Sequence, residues 1–226
     1  MAIKLTTTQK SSNKVRALVY GDAGVGKTVL CATAPNPIII SAEAGLLSLA
    51  DKDISVIEVK SIQDVQDAYK FLTESADAKG FETVCLDSIT EIAEVLLSQL
   101  KADCKDPRQA YGELAEKMTH LIRSFRDIPN YHTYFSAKMT RVEDEHTGIA
   151  TFRPSMPGRS LLNSIPFYYD EVMALKIGET EEGKSYRYLQ TNPTLQYTAK
   201  DRSGKLDEME KPDLTAIFKK ILSKGK

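Results

Sequence analysis

The chain has 226 residues, 42% of them hydrophobic, with 30 Lys and Arg against 31 Asp and Glu. This length predicts one domain with a sizeable core, and a formal net charge of −1 excludes a global field that attracts nucleic acid or an anionic membrane. The three cysteines form no C-x-x-C pair, which argues against a disulfide framework or a zinc site and favours a reducing compartment. Because no signal peptide and no run of roughly 20 apolar residues is present, we expect a cytoplasmic protein with no membrane partner.

The first 137 residues alternate short apolar runs with helical patterns. Strands are predicted at 15–20, 37–40, 54–59, 81–86 and 131–137. Helices are predicted at 27–34, after capping boxes at Ser61–Asp64 and Ser88–Glu91, and over 111–125. Because strands that alternate with helices build βαβ units, we predict an α/β fold with a mostly parallel central sheet flanked by helices.

The C-terminal part has a different pattern. Residues 138–153 alternate around a turn and predict a β-hairpin or a long loop. Further strands are predicted at 169–177, 186–189 and 195–199, and a closing helix at 212–220. We therefore expect antiparallel strands added toward the C-terminus. The predicted organisation is a flexible polar lead over 1–14, followed by a single core over 15–226.

The clearest motif is G-x-x-x-x-G-K-[ST], the Walker A pattern, at residues 21–28 between a predicted strand and a predicted helix. Glycines let successive backbone amides surround phosphate, and the helix N-terminus adds favourable partial charge. Lys27 can reach the β- and γ-phosphates, and Thr28 can ligate Mg²⁺. We therefore predict ATP and Mg²⁺ as cofactors. The nucleotide-binding residues are Gly21, Asp22, Ala23, Gly24, Val25, Gly26, Lys27, Thr28 and Val29.

One predicted strand runs into a carboxylate at Asp87, and another is followed shortly by a carboxylate at Glu43. Ligands of open α/β sheets bind outside the carboxyl ends of the strands. We predict that Asp87 holds Mg²⁺ together with Thr28, and that Glu43, the second catalytic residue beside Lys27, orients the attacking water. The alternatives are an N-cap for Asp87 and an acid favoured near a helix N-terminus for Glu43. Glu91 is interpreted as a capping-box residue rather than a base.

The order of Walker A, a strand ending at Glu43 and a hydrophobic strand ending in Asp87-Ser88 resembles that of RecA-like P-loop ATPases. Over about residues 15–222 the layout resembles the short phage-encoded recombination proteins of the Sak group. This resemblance implies a single-domain ATPase that hydrolyses ATP in a homo-oligomer, a ring or a filament, and that binds and anneals single-stranded DNA. It also implies the host cytoplasm as location, a single-strand-binding protein as a natural partner, and a subunit contact for the lead.

The resemblance implies roles for three more groups of residues. Ser136 and Lys138 stand where RecA-like proteins sense the γ-phosphate. Lys200 and Arg202 are similar to the Lys-x-Arg element that reaches a neighbouring subunit's ATP, and so count as catalytic. Residues 139–164 match the region of mobile DNA-binding loops, and the candidate contacts there are Arg141, Phe152, Arg153 and Arg159. For each group the alternative is a strand end, basic turn or loop exposed to solvent.

Three other functions stay open. A P-loop kinase would transfer phosphate to a small molecule such as a nucleoside. An ATP-gated assembly or loader protein would bind nucleotide with negligible turnover. A ring motor would translocate directionally on DNA.

Overall fold

The computed structural model describes residues 5, 7, 13–43, 45–103, 106–144 and 147–223. The predicted lead over 1–14 therefore lies almost entirely outside the described residues. The strands are β1 (Arg16–Gly21), β2 (Pro37–Ser41), β3 (Ser55–Glu58), β4 (Thr83–Asp87), β5 (His132–Glu143), β6 (Ala150–Pro154), β7 (Glu171–Glu179), β8 (Ser185–Gln190), β9 (Lys200–Asp201) and β10 (Met209–Glu210). The α-helices are α1 (Lys27–Cys31), α2 (Ile62–Glu74), α3 (Ile89–Asp103), α4 (Pro107–Arg126), α5 (Arg159–Ser164) and α6 (Leu214–Leu222).

One sheet organises the molecule, in the order β10-β8-β7-β1-β5-β4-β2-β3. The strands from β7 to β3 are all parallel, and β5 lies between β1 and β4. Strands β8, β9 and β10 join the β7 side as antiparallel strands. The predicted α/β fold class, a mostly parallel sheet with antiparallel strands toward the C-terminus, is therefore confirmed.

The central strands are buried on both faces, which explains why they read as continuous apolar runs rather than as alternating patterns. Helices α2, α3 and α4 cover one face, where Leu18, Ile40 and Leu86 belong to the larger core cluster. Helices α1 and α6 cover the other face, where Val19 and Ile39 belong to the second cluster. Both layers hold the carboxyl ends of β1, β4 and β2 at a common edge.

The two predicted capping boxes have different outcomes. Ser61 and Asp64 exchange both hydrogen bonds at the start of α2, as predicted. At the start of α3 only half of the box forms: the Ser88 hydroxyl accepts from the backbone amide of Glu91 at 3.3 Å. The Glu91 carboxylate instead accepts from Lys138, so the interpretation of Glu91 as a capping residue is corrected.

Two segment predictions need revision. Residues 195–199 are not a regular strand, because Thr194 draws the amides of residues 196 and 197 into a turn and leaves a single bridge between Tyr197 and Phe152. The strand predicted at 131–137 runs on to residue 143 and pairs with β6, so the β-hairpin is the one of the two alternatives for 138–153 that forms. Within the described residues, no helix combines the length and the apolar character needed to cross a membrane.

Candidate functional site

The Walker A segment forms a strand, loop and helix, with β1 ending at Gly21 and α1 beginning at Lys27. Gly26 has φ of 107°, a left-handed conformation that side chains disfavour. A Cβ at Gly21 would lie 2.7 Å from the carbonyl oxygen of Leu175, so this position also requires glycine. The Lys27 ammonium donates to the carbonyls of Gly21 and Asp22, each at 2.9 Å, and so lies across the start of the loop.

The predicted metal residues meet at the carboxyl edge of the sheet. The Thr28 hydroxyl at the start of α1 donates to Oδ2 of Asp87 at 2.6 Å. The Ser136 hydroxyl, from the neighbouring strand β5, donates to the other carboxylate oxygen of Asp87. Asp87 is only 1% exposed, so these hydroxyls fix the orientation of a buried carboxylate.

Glu43 lies beside this pair. Its Oε1 accepts from the hydroxyl of Ser88 at 2.6 Å, and Ser88 follows Asp87 through a cis peptide bond. The backbone amide of Ala42 donates to the carbonyl of Asp87 at 2.9 Å, which ties the ends of β2 and β4 together. Two carboxylates predicted from separate strands are thus held at one edge, and Ser88 is the residue that links them.

A cleft of about 660 Å³ opens at this edge. It is lined by the start of the Walker A loop, Lys27, Glu43 and Lys138, among others. Burial lowers the pKa of Lys27, while the nearby carboxylates of Glu43, Asp87 and Asp22 oppose that shift. The cleft therefore combines two half-buried ammonium groups, those of Lys27 and Lys138, with several carboxylates, a balance that suits a polyanion bound together with a cation.

The two residues predicted to sense the γ-phosphate occupy different positions. Ser136 is fully buried and contacts Asp87, whereas Lys138 lines the cleft. The Lys138 ammonium donates to carboxylate oxygens of Glu91 and Glu94, each at 2.7 Å. Although burial opposes it, these two bonds raise the pKa of Lys138. Of the pair, only Lys138 faces the space where a ligand would bind.

The structure does not bring Lys200 and Arg202 to this site. Strand β9 pairs with the beginning of β7, so Lys200 lies level with Leu18, three residues or about 10 Å from the end of β1. The Lys200 ammonium donates to the carbonyl of Pro166 at 2.8 Å, and Arg202 forms an ion pair with Asp170 at 2.7 Å. Both cations are therefore remote from the Walker A loop of their own chain.

The predicted DNA contacts gather around the β5–β6 hairpin, which extends from the same edge as the cleft. Each of the three on the hairpin already has a partner: Arg141 pairs with Glu143 at 3.0 Å, the Phe152 ring stacks on Tyr197 with centroids 4.9 Å apart, and Arg153 donates to Asn163 at 3.4 Å. Arg159, at the start of α5, is exposed. The four side chains lie near one edge but do not form one open basic patch.

Arg187 is a cationic residue at the Walker A loop that the sequence analysis did not predict. Arg187 of β8 donates from Nε to the carbonyl oxygen of Val25 at 2.7 Å. The two residues are 162 positions apart, and the sequence around Arg187 matches no motif. Only the register of the β7–β8 ladder reveals this contact.

A protein-family model matches most of the chain. Residues 13–203 match the model of the AAA_24 family, which is described as an AAA domain. No curated protein matches the chain. Among solved structures, a KaiC-like protein, PH0186, from the hyperthermophilic archaeon Pyrococcus horikoshii OT3 is similar at 16% sequence identity and a TM-score of 0.44, over 77% of this chain and 76% of that one.

Proposed function

The chain belongs to the AAA_24 family of AAA domains, and we propose that it binds ATP with Mg²⁺ at the carboxyl edge of its sheet and hydrolyses the γ-phosphate. The observation that carries this proposal is the arrangement around Asp87. Its carboxylate is shared by the hydroxyls of Thr28 and Ser136, and Ser88 beside it holds Glu43. A phosphate loop and the carboxylate of Glu43 thus line one cleft, and the buried carboxylate of Asp87 lies beside it at the same edge of the sheet.

The donor set at this cleft suits Mg²⁺. Mg²⁺ prefers oxygen ligands and is usually held by one or two protein groups together with phosphates and waters. The Thr28 hydroxyl and the Asp87 carboxylate are two such groups, 2.6 Å apart. When bound, the ion neutralises charge on the phosphate oxygens. Ser136, which donates to Asp87 and is itself buried, orients the carboxylate for that purpose.

Lys27 and the loop hold the phosphates. The Lys27 ammonium now satisfies two loop carbonyls, and these weak acceptors yield to phosphate oxygens, which bind an ammonium more strongly. The half-buried position of Lys27 strengthens that attraction because fewer waters screen it.

Glu43 would orient the attacking water. One carboxylate oxygen is bound by Ser88, which fixes the side chain and leaves the other oxygen to accept from water. This arrangement favours hydrolysis over the loader alternative, which needs no carboxylate in the cleft. A kinase would instead place a phosphoacceptor there, so release of inorganic phosphate without an added acceptor separates the two.

Steady-state release of phosphate from ATP tests the proposal. Lys27→Ala should abolish binding of a fluorescent ATP analogue, while Glu43→Gln should keep binding and lower turnover by about 100-fold or more, the usual contribution of a general base. Glu74→Gln, which changes an exposed glutamate at the end of α2, is the matched control. Normal turnover in Glu43→Gln would refute the role of Glu43, and ATP binding in Lys27→Ala would refute the site.

We further propose that hydrolysis is coupled to single-stranded DNA. The observation that favours this is β5, which carries Ser136 and Lys138 and then continues into the hairpin with Arg141. Loss of the γ-phosphate beside Lys138 and binding of DNA at the hairpin would therefore both affect the same strand, β5. DNA should stimulate phosphate release, and Arg153→Ala should weaken that stimulation. Lys52→Ala, which changes an exposed lysine in a surface turn, is the control.

We propose a homo-oligomer, a ring or a filament, in which Lys200 and Arg202 act on the ATP of the adjacent subunit. Their distance from the loop of their own chain fits action across a boundary, and Arg202 must then release Asp170. Arg202→Ala and Lys27→Ala should each be inactive alone. A mixture should regain turnover, because one subunit supplies the nucleotide site and the other the arginine. A mixture as inactive as its components would contradict this arrangement.

A further inference from the structure

Arg187 lies against the Walker A loop. Its Nε donates to the carbonyl oxygen of Val25 at 2.7 Å. A Cβ placed on Gly26 would be 3.5 Å from that same nitrogen and 3.7 Å from Cδ, so the side chain also lies against the loop at Gly26. The contact involves the two residues that immediately precede Lys27.

The fold explains why a residue so distant in sequence reaches the loop. Pairing of β1 with β7 ends at Tyr20 and Ala174, whereas β7 and β8 remain paired out to Glu179 and Ser185. The β7–β8 hairpin therefore extends past the carboxyl edge of the sheet. Arg187 shares its face with Leu189, which packs in the same core cluster as Val25. A paired strand thus positions the guanidinium.

The guanidinium has donors to spare. Arginine carries five N–H donors, and the bond to Val25 uses one of them. Among the residues that the structure describes, Nε to Val25 is the hydrogen bond that the guanidinium makes, the two Nη groups make none, and the residue is exposed. By contrast, Lys138 is held by two glutamates and Arg202 by an aspartate.

We propose that Arg187 contacts the phosphate chain of a nucleoside triphosphate bound in its own subunit. The inference rests on the proposed function and adds a residue to that site. Nε keeps the Val25 carbonyl turned away from the phosphates, and the Nη groups donate to phosphate oxygens, which a planar guanidinium binds through paired hydrogen bonds. This role differs from that of Arg202, which would act on a neighbour.

Nucleotide affinity tests this assignment in the full chain. Dissociation constants for fluorescent ATP and for inorganic tripolyphosphate, by competition, are compared in wild type, Arg187→Ala and Arg187→Lys. Charged hydrogen bonds of this kind predict a loss of about 10- to 100-fold for both ligands in Arg187→Ala. The affinity of Arg187→Lys should lie between those of wild type and Arg187→Ala, since one ammonium cannot bind both Val25 and phosphate as a guanidinium does. Lys184→Ala, on the same hairpin and with its ammonium paired to Glu182, should bind as wild type.

Three outcomes would decide the matter. Unchanged affinity in Arg187→Ala, with binding lost in Lys27→Ala, overturns the inference but leaves the nucleotide site intact. Unchanged affinity in both variants overturns the proposed function itself. A loss for ATP without a loss for tripolyphosphate would assign Arg187 to the nucleoside and also overturn the phosphate contact. Circular dichroism and thermal unfolding of each variant exclude loss of fold as the cause.

Discussion

Replacing Glu171 with glutamine should stabilise the protein at neutral and alkaline pH. Glu171 is the first residue of β7, is 1% exposed, and lies opposite Asp201 of β9. Its Oε2 has no hydrogen-bond partner in the part of the chain that the structure describes. Burial, followed by the hydrogen bond and the negative charge of Asp201, raises the pKa of Glu171 to about 8. The carboxyl group therefore keeps its proton in the folded protein at neutral pH.

The magnitude follows from the two pKa values. Below the ordinary value of 4.5 the carboxyl is protonated in both states, and its contribution to stability is fully present. Above 4.5 the unfolded chain releases the proton while the folded chain retains it until about 8, so stability falls as pH rises. The slope is about 1.4 kcal/mol per pH unit, so Glu171 lowers the free energy of unfolding by about 3 kcal/mol at pH 7.

Urea unfolding between pH 4.5 and pH 8 provides the assay. Glutamine has the same shape and no charge, so the stability of Glu171→Gln relative to wild type should grow with pH, by about 3 kcal/mol at neutrality. Glu179→Gln, at the exposed end of the same strand, is the matched control. Parallel pH curves for wild type and Glu171→Gln would refute the reasoning, because they would mean that Glu171 ionises alike in both states.

Three further predictions concern other groups. Burial, and secondarily the charge of Lys14, lowers the pKa of His132 from 6.5 to about 4. The free energy of unfolding should therefore drop by about 3 kcal/mol as pH falls between those values. In urea unfolding, His132→Gln should remove that drop. Ser61→Ala should lose about 1 kcal/mol of stability by the same assay, because it removes the N-cap of α2. Ser136→Ala should raise the Mg²⁺ concentration for half-maximal hydrolysis by about 10- to 100-fold, since it frees the Asp87 carboxylate; an unchanged requirement would contradict the proposed metal site.

The parts of the site that sequence alone predicted are those whose chemistry is local. The Walker A loop is one contiguous segment, so its glycines, lysine and threonine are close together in sequence as well as in space. Asp87 ends one buried apolar strand and Glu43 follows another by two residues, so the rule that parallel strands present their carboxyl ends at one edge is sufficient to bring them together. The order of strands within the sheet did not have to be known.

The contacts that sequence could not predict depend on register between distant strands. Arg187 meets Val25 only because β8 pairs with β7 in one particular register, and a shift of one residue would turn Arg187 to the other face. Glu91 looked like a capping residue because capping boxes are local, yet Lys138 offers its carboxylate a charged partner. A bond to an ammonium is stronger than one to a backbone amide, so the tertiary contact prevails.

Strand β5 connects the parts of the molecule on which the proposed coupling depends. It begins at His132, whose ring stacks on Phe218 of α6. Further along the strand, the hydroxyl of Ser136 donates to the carboxylate of Asp87. Two residues later Lys138 bridges to α3, and the same strand then forms the hairpin. A γ-phosphate that attracted Lys138 would draw it from its glutamates and alter what holds the base of the hairpin. The proposed coupling therefore needs no separate moving domain, only a redistribution of the ion pairs that Lys138 already makes.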